Sequence, residues 1–504
     1  MSQRPRLLFT PMKIGSITVK NRIVFSAHLT NYAEDFMPSE RHLFYYRERA
    51  RGGTGLIITE EQSTHPTDHP YEKLIHAFHR RVIPHYRKIT AAVHAEGTPI
   101  LAQINHNGGQ GSGMFTRLPA WAPSALADPL FREVAKAVEP EDLLEIIQGY
   151  ARVAAYTREG GFDGVELQCS HSSIVRQFLS RNTNHRADQY GGSLENRARL
   201  LREIIAAIRN EVGRDYVISV RLCGDELIRD GITLDEAVAV ARLLEHDGQI
   251  DLINTSIGTA TQTLYMIEAS MRVRPDYALF IPSALRKAVR LPVIGVGRIK
   301  DPIQAERILN EGHADLVGIV RGQIADPEFA RKARENRIDD IRLCLSCNQE
   351  CVGRMGLNRW MGCIETPATG QEKKYGAGTL QRVETPKRVT VVGGGPAGLK
   401  AAAVAARRGH RVTLLEKESR LGGQVVWAVR VANRAEFGDI VRNLLDFAHE
   451  RPLLEDDLSV NAVVEDALHL VASQFTIQGT RVVKRLAELP RTRGDFAQLR
   501  QACV

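Results

Sequence analysis

The sequence predicts an α/β protein in three parts: an N-terminal (β/α)8 TIM barrel, a cysteine-rich cluster segment, and a partial Rossmann-like nucleotide-binding domain. Three observations lead to this prediction. The first 330 of the 504 residues hold eight short apolar strand candidates. Four of the seven cysteines fall between positions 344 and 363. A glycine-rich fingerprint follows about thirty residues later.

The eight strand candidates are short runs rich in Val, Ile and Leu, and most are separated by segments with helical periodicity. Strands that are apolar throughout are typical of a parallel sheet covered on both faces. Eight such units fit a barrel whose catalytic groups follow the strand ends. The candidates begin at Arg22, Gly55, Pro99, Asp163, Tyr216, Asp251, Leu291 and Ala314.

Composition excludes several classes of protein. Apolar residues make up 43% of the chain and charged residues 25%, as in globular proteins. No apolar run of eighteen residues predicts a membrane span, and no secretory signal is visible, so a reducing cytoplasmic location is expected. The net charge of +8 indicates either an Arg-rich solvated surface or attraction to anionic ligands. No basic run interleaved with aromatics predicts nucleic-acid binding.

The predicted domain boundaries follow these signals. Residues 1–338 form the barrel, and residues 339–386 form the cysteine segment with a polar, Gly-rich linker. Residues 387–450 form a partial FAD/NAD(P)-binding βαβ unit. Residues 451–504 are an atypical basic tail.

The fingerprint in "VTVVGGGPAGLKAAAVAARRGHRVTLLEK" is a strand, a tight glycine turn, a helix, a second strand and an acid. This order predicts that the turn holds a pyrophosphate at the helix N-terminus and that the acid binds a ribose hydroxyl. A glycine turn without a ligand is the alternative. The nearby "RLGGQV" predicts a second close backbone approach. The predicted cofactor-binding residues are Gly393, Gly395, Gly398, Glu416 and Gln424.

The four clustered cysteines are spaced C-x2-C-x3-C-x11-C, at Cys344, Cys347, Cys351 and Cys363. Four thiolates suit either tetrahedral zinc or an iron–sulfur cluster. Three ligands in one tight loop with a remote fourth suit a cubane cluster better than two zinc knuckles. The spacing alone leaves both metals open.

Polar residues end several of the barrel strands. Gln103 ends the third strand and can pair with a flavin's pyrimidine edge, and Arg221 ends the fifth and can stabilise a reduced flavin anion. Gly297, Arg298 and Arg321 close the seventh and eighth strands, where barrels often bind phosphate. Taken singly, each of these residues is more often a structural polar group than a ligand. Taken together, they fit one phosphate-bearing cofactor.

The motifs "PMKIG", "VKNRIVFSAH", "AQINHNGGQ", "TNHRADQYGGSLENR", "VIGVGRIKDP" and "DLVGIVRGQIADP" resemble the barrel of old yellow enzymes. With the cysteine segment and the fingerprint, residues 5–450 resemble the FMN/4Fe–4S branch that contains 2,4-dienoyl-CoA reductase and trimethylamine dehydrogenase. The homologues associated with the mycofactocin system are similar too.

The resemblance implies FMN in the barrel, a 4Fe–4S cluster on the four cysteines, and FAD with NAD(P)H in the C-terminal domain. Leu29 stands where trimethylamine dehydrogenase attaches its flavin through a cysteine, so non-covalent FMN is expected. By motif position the FMN-lining residues are Ser26, Ala27, His28, Glu60, Gln103, Arg221, Gly297, Arg298, Val320 and Arg321.

The sequence departs from the family at the substrate face. Gln168 and His171 occupy the positions of the residue pair that binds a substrate carbonyl, and they are the catalytic candidates. The alternative interpretation of His171 is a structural histidine whose hydrogen bonds are satisfied within the protein. Ser173 aligns with the proton-donating tyrosine, and a serine is too weak an acid for that role. Ala260 replaces a catalytic histidine. Two further candidates in the loop after strand six are Tyr265 and Glu268.

The chain is predicted to be C-terminally truncated or frame-shifted near residue 450, because the remaining FAD fold and a second fingerprint are missing. FMN and iron are therefore expected, with FAD and NAD(P)H binding doubtful. The first hypothesis is an oxidoreductase acting on an enone or enoyl thioester. The alternatives are an amine or N-methyl dehydrogenase of the same architecture and an inactive truncated flavoprotein. The expected partners are a small-molecule substrate, an electron-transfer protein and a second copy of the chain.

Overall fold

A computed structural model of the chain describes residues 6–445, 456–458 and 492–494. Its centre is a closed barrel of eight parallel strands, in which each strand pairs with the next and the last pairs with the first. All eight predicted strands are confirmed. They are β1 (Ile23–Phe25), β2 (Leu56–Ile58), β3 (Ile100–Asn105), β4 (Gly164–Cys169), β5 (Val217–Cys223), β6 (Leu252–Ser256), β7 (Val293–Gly295) and β8 (Leu316–Gly318).

Amphipathic helices cover the outside of the barrel and bury their apolar stripes against the strands. Two of these helices, Pro140–Glu159 and Leu234–Asp247, end at the glycine caps Gly160 and Gly248. The helices are α1 (Glu40–Arg51), α2 (Ile83–His94), α3 (Pro140–Glu159), α4 (Ile174–Leu179), α5 (Leu194–Val212), α6 (Leu234–Asp247), α7 (Phe280–Ala288), α8 (Pro302–Asn310), α9 (Arg321–Ala325) and α10 (Phe329–Arg334).

A short antiparallel hairpin, Met12–Ile14 with Ile17–Val19, precedes the barrel and was not predicted from the sequence. Its Ile14 and Val19 are buried against the first residues of several strands, including Leu56 and Leu252. The hairpin therefore packs on the N-terminal end of the barrel. The functional groups that follow the strands lie at the opposite, C-terminal end.

The cysteine segment packs directly on the barrel. The Tyr32 hydroxyl donates to the backbone carbonyl of Met361 at 2.8 Å. The helix α11 (Glu372–Tyr375) lies in the stretch predicted as a linker, and its Glu372 forms a buried ion pair with Arg49 of α1 at 2.5 Å. The first part of that stretch is thus anchored to the barrel.

The nucleotide unit has the predicted βαβ order. The strand β9 (Arg388–Val392) and the strand β10 (Arg411–Leu415) are parallel, and the helix α12 (Pro396–Arg407) connects them. A helix α13 (Asp439–Leu445) follows. The chain divides into two compact units, Met1–Asn443 and Leu444–Val504.

The predicted atypical tail, residues 451–504, lies outside the described residues except for the strands Asp456–Leu458 and Thr492–Gly494, which pair antiparallel. Among the helices that the structure describes, none has the length and apolar character to cross a membrane.

Candidate functional site

A cavity opens at the C-terminal end of the barrel. The cavity holds about 700 Å³ of space free of protein atoms, open solvent included. Its wall combines residues at or after the C-terminal ends of β1 and β4–β8 with two residues of the cysteine segment, Cys344 and Ser346. The sequence-predicted residues that line it are Ser26, His171, Arg221, Gly297, Arg298, Val320, Arg321 and Cys344.

A buried polar network forms the base of the barrel mouth. Gln103 donates through Nε2 to Glu166 Oε1 at 2.8 Å, and Asn254 Nδ2 lies 2.9 Å from Glu166 Oε2 and 3.0 Å from Ser26 Oγ. The strand register fixes this arrangement, since Glu166 lies opposite Gln103 on one side and Ser219 on the other. Gln103 is thus tied to the cavity through three side chains. Burial raises the pKa of Glu166, and Arg221 opposes that shift.

Arg221 lines the cavity with unused hydrogen-bonding capacity. Its Nη1 donates to the carbonyl of Ala27 at 3.0 Å, while its buried Nε has no hydrogen-bond partner. Burial lowers the pKa of this guanidinium, partly offset by Glu166. A buried donor without a partner is rare in folded proteins. The vacant N–H therefore fits a cofactor acceptor atom, as the flavin assignment requires.

The end of the cavity beside β7 holds two cationic side chains, each paired with an acid. Arg298 has a left-handed φ of 60° and its Nε donates to Ser346 Oγ at 3.0 Å. Both Arg298 and Lys300 pair with Glu436, and Lys300 Nζ lies 2.7 Å from Glu436 Oε2. Gly297 has a φ of 140°, and a Cβ there would lie 3.3 Å from Ala278. Two cations beside a glycine suit a phosphate group.

Two of the predicted flavin residues face α1 and are absent from the cavity wall. The His28 ring bonds the Ser26 carbonyl at 2.9 Å and the Tyr45 hydroxyl at 2.7 Å. Glu60 accepts from the amide of Thr30 at 3.0 Å and lies 2.5 Å from His42 Nε2. These bonds fix the loop that follows β1, which supplies Ser26 and Ala27.

His171 and Gln168 both lie at the end of β4, but they have different environments. The Nε2 atom of His171 lies 2.5 Å from Ser256 Oγ, and burial and Arg221 hold the pKa of this imidazole well below its usual range. His171 is therefore neutral near pH 7 and can donate or accept one hydrogen bond in the cavity. Gln168 is buried, and its amide donates to Glu61.

Ser173 is a structural residue. Its hydroxyl donates to the Gln168 carbonyl at 2.5 Å and accepts from the amide of Val175, which makes it the N-cap of α4. Of the two candidates after β6, Tyr265 is 65% exposed, whereas burial raises the pKa of Glu268 to about 7, with Arg321 opposing.

The loop after β2 carries polar residues that the sequence reasoning missed. The carboxylate of Glu61 accepts from the Tyr71 hydroxyl at 3.0 Å and from Asn105 Nδ2 at 2.7 Å. Asn107 Nδ2 bonds Asp68 Oδ1 at 3.0 Å. In the sequence, Glu61 could have been noticed as a second acid after β2, next to Glu60. Glu166 could have been noticed as a charged residue within the apolar strand β4.

Cys344 interacts electrostatically with each of the other three cysteines of the segment. Burial and neighbouring thiols raise the pKa values of Cys347, Cys351 and Cys363, the second of them to about 11, and Cys344 is a neighbour of all three. Within the described ranges, no three His, Cys, Asp or Glu side chains are close enough to hold a single ion. Four thiols in one segment are ligands that suit either zinc or an iron–sulfur cluster.

The glycine fingerprint adopts the shape that its pattern predicts. A Cβ on Gly398 would lie 1.9 Å from the Gly393 carbonyl, so only glycine fits this helix start. Glu416 Oε2 accepts from the amide of Gly394 at 2.6 Å. Gly395, the N-cap of α12, lies close to Gly423, beside Gln424. The turn thus leaves room for a ligand's phosphates at the N-terminus of α12.

Residues 7–340 match the NADH:flavin oxidoreductase / NADH oxidase family. Residues 388–440 match the FAD dependent oxidoreductase family. The chain is 38% identical over 443 residues to an N,N-dimethylglycine/sarcosine dehydrogenase of Chromohalobacter salexigens, covering 86% of this chain and 64% of that protein. It is 39% identical over 425 residues to an NADH oxidase of Thermoanaerobacter brockii, covering 83% of this chain and 64% of that protein.

The fold is also similar to that of a solved 2-naphthoyl-CoA reductase in complex with 2-naphthoyl-CoA. The TM-score is 0.83 with 30% sequence identity, over 92% of this chain and 72% of that chain. The chain thus spans less than two thirds of the length of the two curated relatives named above.

Proposed function

Because the chain belongs to the NADH:flavin oxidoreductase / NADH oxidase family, we propose that it exchanges electrons between a small-molecule substrate, FMN in the barrel mouth and a 4Fe–4S cluster on the cysteine segment. One observation carries this proposal. Cys344 lies in the wall of the same cavity as Arg221, Arg298 and Arg321. A thiolate in that position would bring a cluster ligand next to the cofactor, so that electrons need not cross solvent.

The FMN would be held without a covalent bond. It supplies hydride and single-electron transfer, while the protein orients it and adjusts its charge. Arg221 offers an unpartnered N–H to the ring, and Arg298 with Lys300 offers charge to the phosphate. The barrel residues assigned to this cofactor are Ser26, Ala27, His28, Glu60, Gln103, Arg221, Gly297, Arg298, Val320 and Arg321.

The first substrate candidate is an enone or enoyl thioester. His171 and Ser256 are joined by a 2.5 Å hydrogen bond in the cavity wall, and either can donate to a substrate carbonyl oxygen. A neutral imidazole polarises a carbonyl without adding a full charge. The name of the 2-naphthoyl-CoA reductase supports this class.

The second substrate candidate is an amine that is oxidised by the flavin. Ser173, at the position of the family's proton-donating tyrosine, is a helix cap, and oxidation of an amine needs no proton donor there. The name of the N,N-dimethylglycine/sarcosine dehydrogenase supports this class. The two candidates can be told apart by experiment, because an amine reduces the flavin whereas an enone reoxidises it.

The remaining assignments concern the rest of the chain. The βαβ unit at 388–440 is proposed to bind the pyrophosphate of a dinucleotide such as FAD, with Glu416 at its ribose. A reducing cytoplasmic location suits four free thiols beside iron. We also propose self-association and an electron-transfer partner at the cluster.

Anaerobic visible spectroscopy of the purified protein tests the proposal. We expect stoichiometric FMN and iron, flavin reduction by N-methyl amines if the second candidate holds, and reoxidation of dithionite-reduced flavin by enones if the first holds. Protein that contains neither FMN nor iron would contradict the proposal. Protein that contains both but reacts with neither substrate class would favour an inert flavoprotein.

A further inference from the structure

Two buried carboxylates outside the cavity wall, Glu61 and Asp68, have no role in the cofactor assignments above. They are 6% and 1% exposed. Asn107 Nδ2 lies 3.5 Å from Glu61 Oε1 and 3.0 Å from Asp68 Oδ1, so one amide joins the two acids. In the part of the chain that the structure describes, no cationic side chain forms an ion pair with either carboxylate. Buried acids are rarely left without a counter-charge.

The groups around Glu61 are arranged for its anionic form. Its two oxygens accept from the Tyr71 hydroxyl and from the side-chain amides of Asn105, Asn107 and Gln168. An ionised carboxylate only accepts hydrogen bonds, and these contacts are donors. Burial nevertheless raises the pKa of Glu61. A positively charged ligand would supply the missing counter-charge and so lower the pKa of Glu61 again.

Unused acceptors surround the same place. Asp68 Oδ2 and Asn105 Oδ1 are buried and have no hydrogen-bond partner. Asn105 Oδ1 belongs to the amide whose nitrogen lies 2.7 Å from Glu61 Oε2, so it is also close to Glu61. A site with spare acceptors and negative charge fits a ligand that carries donors and positive charge.

Glu61 lies next to one of the two catalytic candidates, Gln168. Gln168, whose amide contacts Glu61, is the register partner of Arg221 across β4 and β5. Arg221 lines the cavity, and the charge of Glu61 raises the pKa of its guanidinium. Asn105 is the last residue of β3. A cation held at Glu61 would thus lie at the mouth of the barrel, beside the proposed flavin.

We propose that Glu61, supported by Asp68, binds the positive charge of an amine substrate and is the residue that selects cationic over neutral substrates. This inference rests on the proposed function, because it needs FMN in the barrel mouth. It favours the second of the two substrate candidates.

Calorimetric titration of the FMN-loaded full chain tests the inference without turnover. The probes are tert-butylammonium, a cation with N–H donors but no α-hydrogen for the flavin to remove, and tert-butanol, a neutral molecule of the same shape. The variants are Glu61→Gln, Glu61→Asp and Glu145→Gln. The last is the matched control, because Glu145 is a mostly exposed acid of α3 beside His65, which it contacts at 3.3 Å.

We expect wild type to prefer the cation by at least about tenfold, the size of one charged interaction. Glu61→Gln abolishes the preference, whereas Glu61→Asp and Glu145→Gln keep it. Equal binding of both probes by wild type, or an unchanged preference in Glu61→Gln, overturns the inference. If Glu61→Gln does not fold, the inference is judged on the ratio of the two probe affinities in wild type and in Glu61→Asp. Failure of the proposed function shows separately, as missing FMN or missing flavin reduction.

Discussion

The hydroxyl of Ser173 accepts a hydrogen bond from the backbone amide of Val175 at 3.2 Å and thereby caps α4. The same hydroxyl donates to the Gln168 carbonyl, so both of its hydrogen-bonding functions are used within the protein. The position that carries a proton-donating phenol in ene-reductases therefore serves here to begin a helix.

Replacement of Ser173 by alanine should lower the free energy of unfolding by about 1 kcal/mol, the usual loss for a helix N-cap. The rate of flavin reduction or reoxidation by substrate should stay within about twofold, since no proton passes through a cap. Urea unfolding and stopped-flow absorbance measure the two effects. Thr233→Ala, which removes the cap of α6, is the control for stability. A rate loss above about tenfold in Ser173→Ala alone would contradict the cap assignment.

Cys344→Ala should remove most of the iron, because it deletes one of the four proposed cluster ligands, the one that lies in the cavity wall. We expect less than about a quarter of the wild-type iron and loss of the cluster's broad visible absorption. Iron analysis and absorption spectra are the measurements. The matched control is Cys169→Ala, which deletes a buried free thiol in β4 and should leave the iron content unchanged. Equal iron in both variants would exclude the cysteine segment as the site.

Glu436→Gln should increase the affinity of the apoprotein for FMN by about threefold or more. Glu436 pairs with both Arg298 and Lys300, and a phosphate would compete with it for these cations. Quenching of FMN fluorescence during titration reports the dissociation constant. The exposed Glu418, two positions after Glu416, supplies the control Glu418→Gln. Weaker FMN binding in Glu436→Gln would mean that the carboxylate supports the phosphate site.

The stability of the fold should fall as the pH is lowered from about 6.5 to about 4, partly through His28. Burial lowers the pKa of His28 to about 4, whereas an unfolded imidazole titrates near 6.5. Between these values the unfolded chain binds more protons, so acid favours unfolding, by about 3 kcal/mol for this residue at the lower end.

Urea unfolding at several pH values measures this effect by comparison of variants. His28→Asn should lose less stability on acidification than wild type does, while the exposed His246→Asn, on α6, should follow wild type. Parallel curves for wild type and His28→Asn would show that His28 takes up its proton as readily in the folded state.

The barrel could be predicted because its strands are buried on both faces and appear in the sequence as continuous apolar runs, such as Ile23–Phe25. Arg221 and Arg298 could be found because polar residues that follow such strands meet at one end. Glu61 could not, since its significance depends on Asn105 and Gln168, which are distant in sequence and adjacent only after the barrel closes. Pairing of Glu436 with the β7 cations carries no local signal either.

The attachment of the cysteine segment to the barrel has a consequence for maturation of the protein in the cell. Met361 is held by Tyr32, and Glu372 is held by Arg49, so contacts with the first fifty residues of the chain fix the segment on both sides of Cys363. Cys363 is therefore held in place by a barrel that precedes it in the chain. A cluster bound as proposed would be assembled after the barrel has folded, and a chain with a misfolded barrel would lack this support for Cys363.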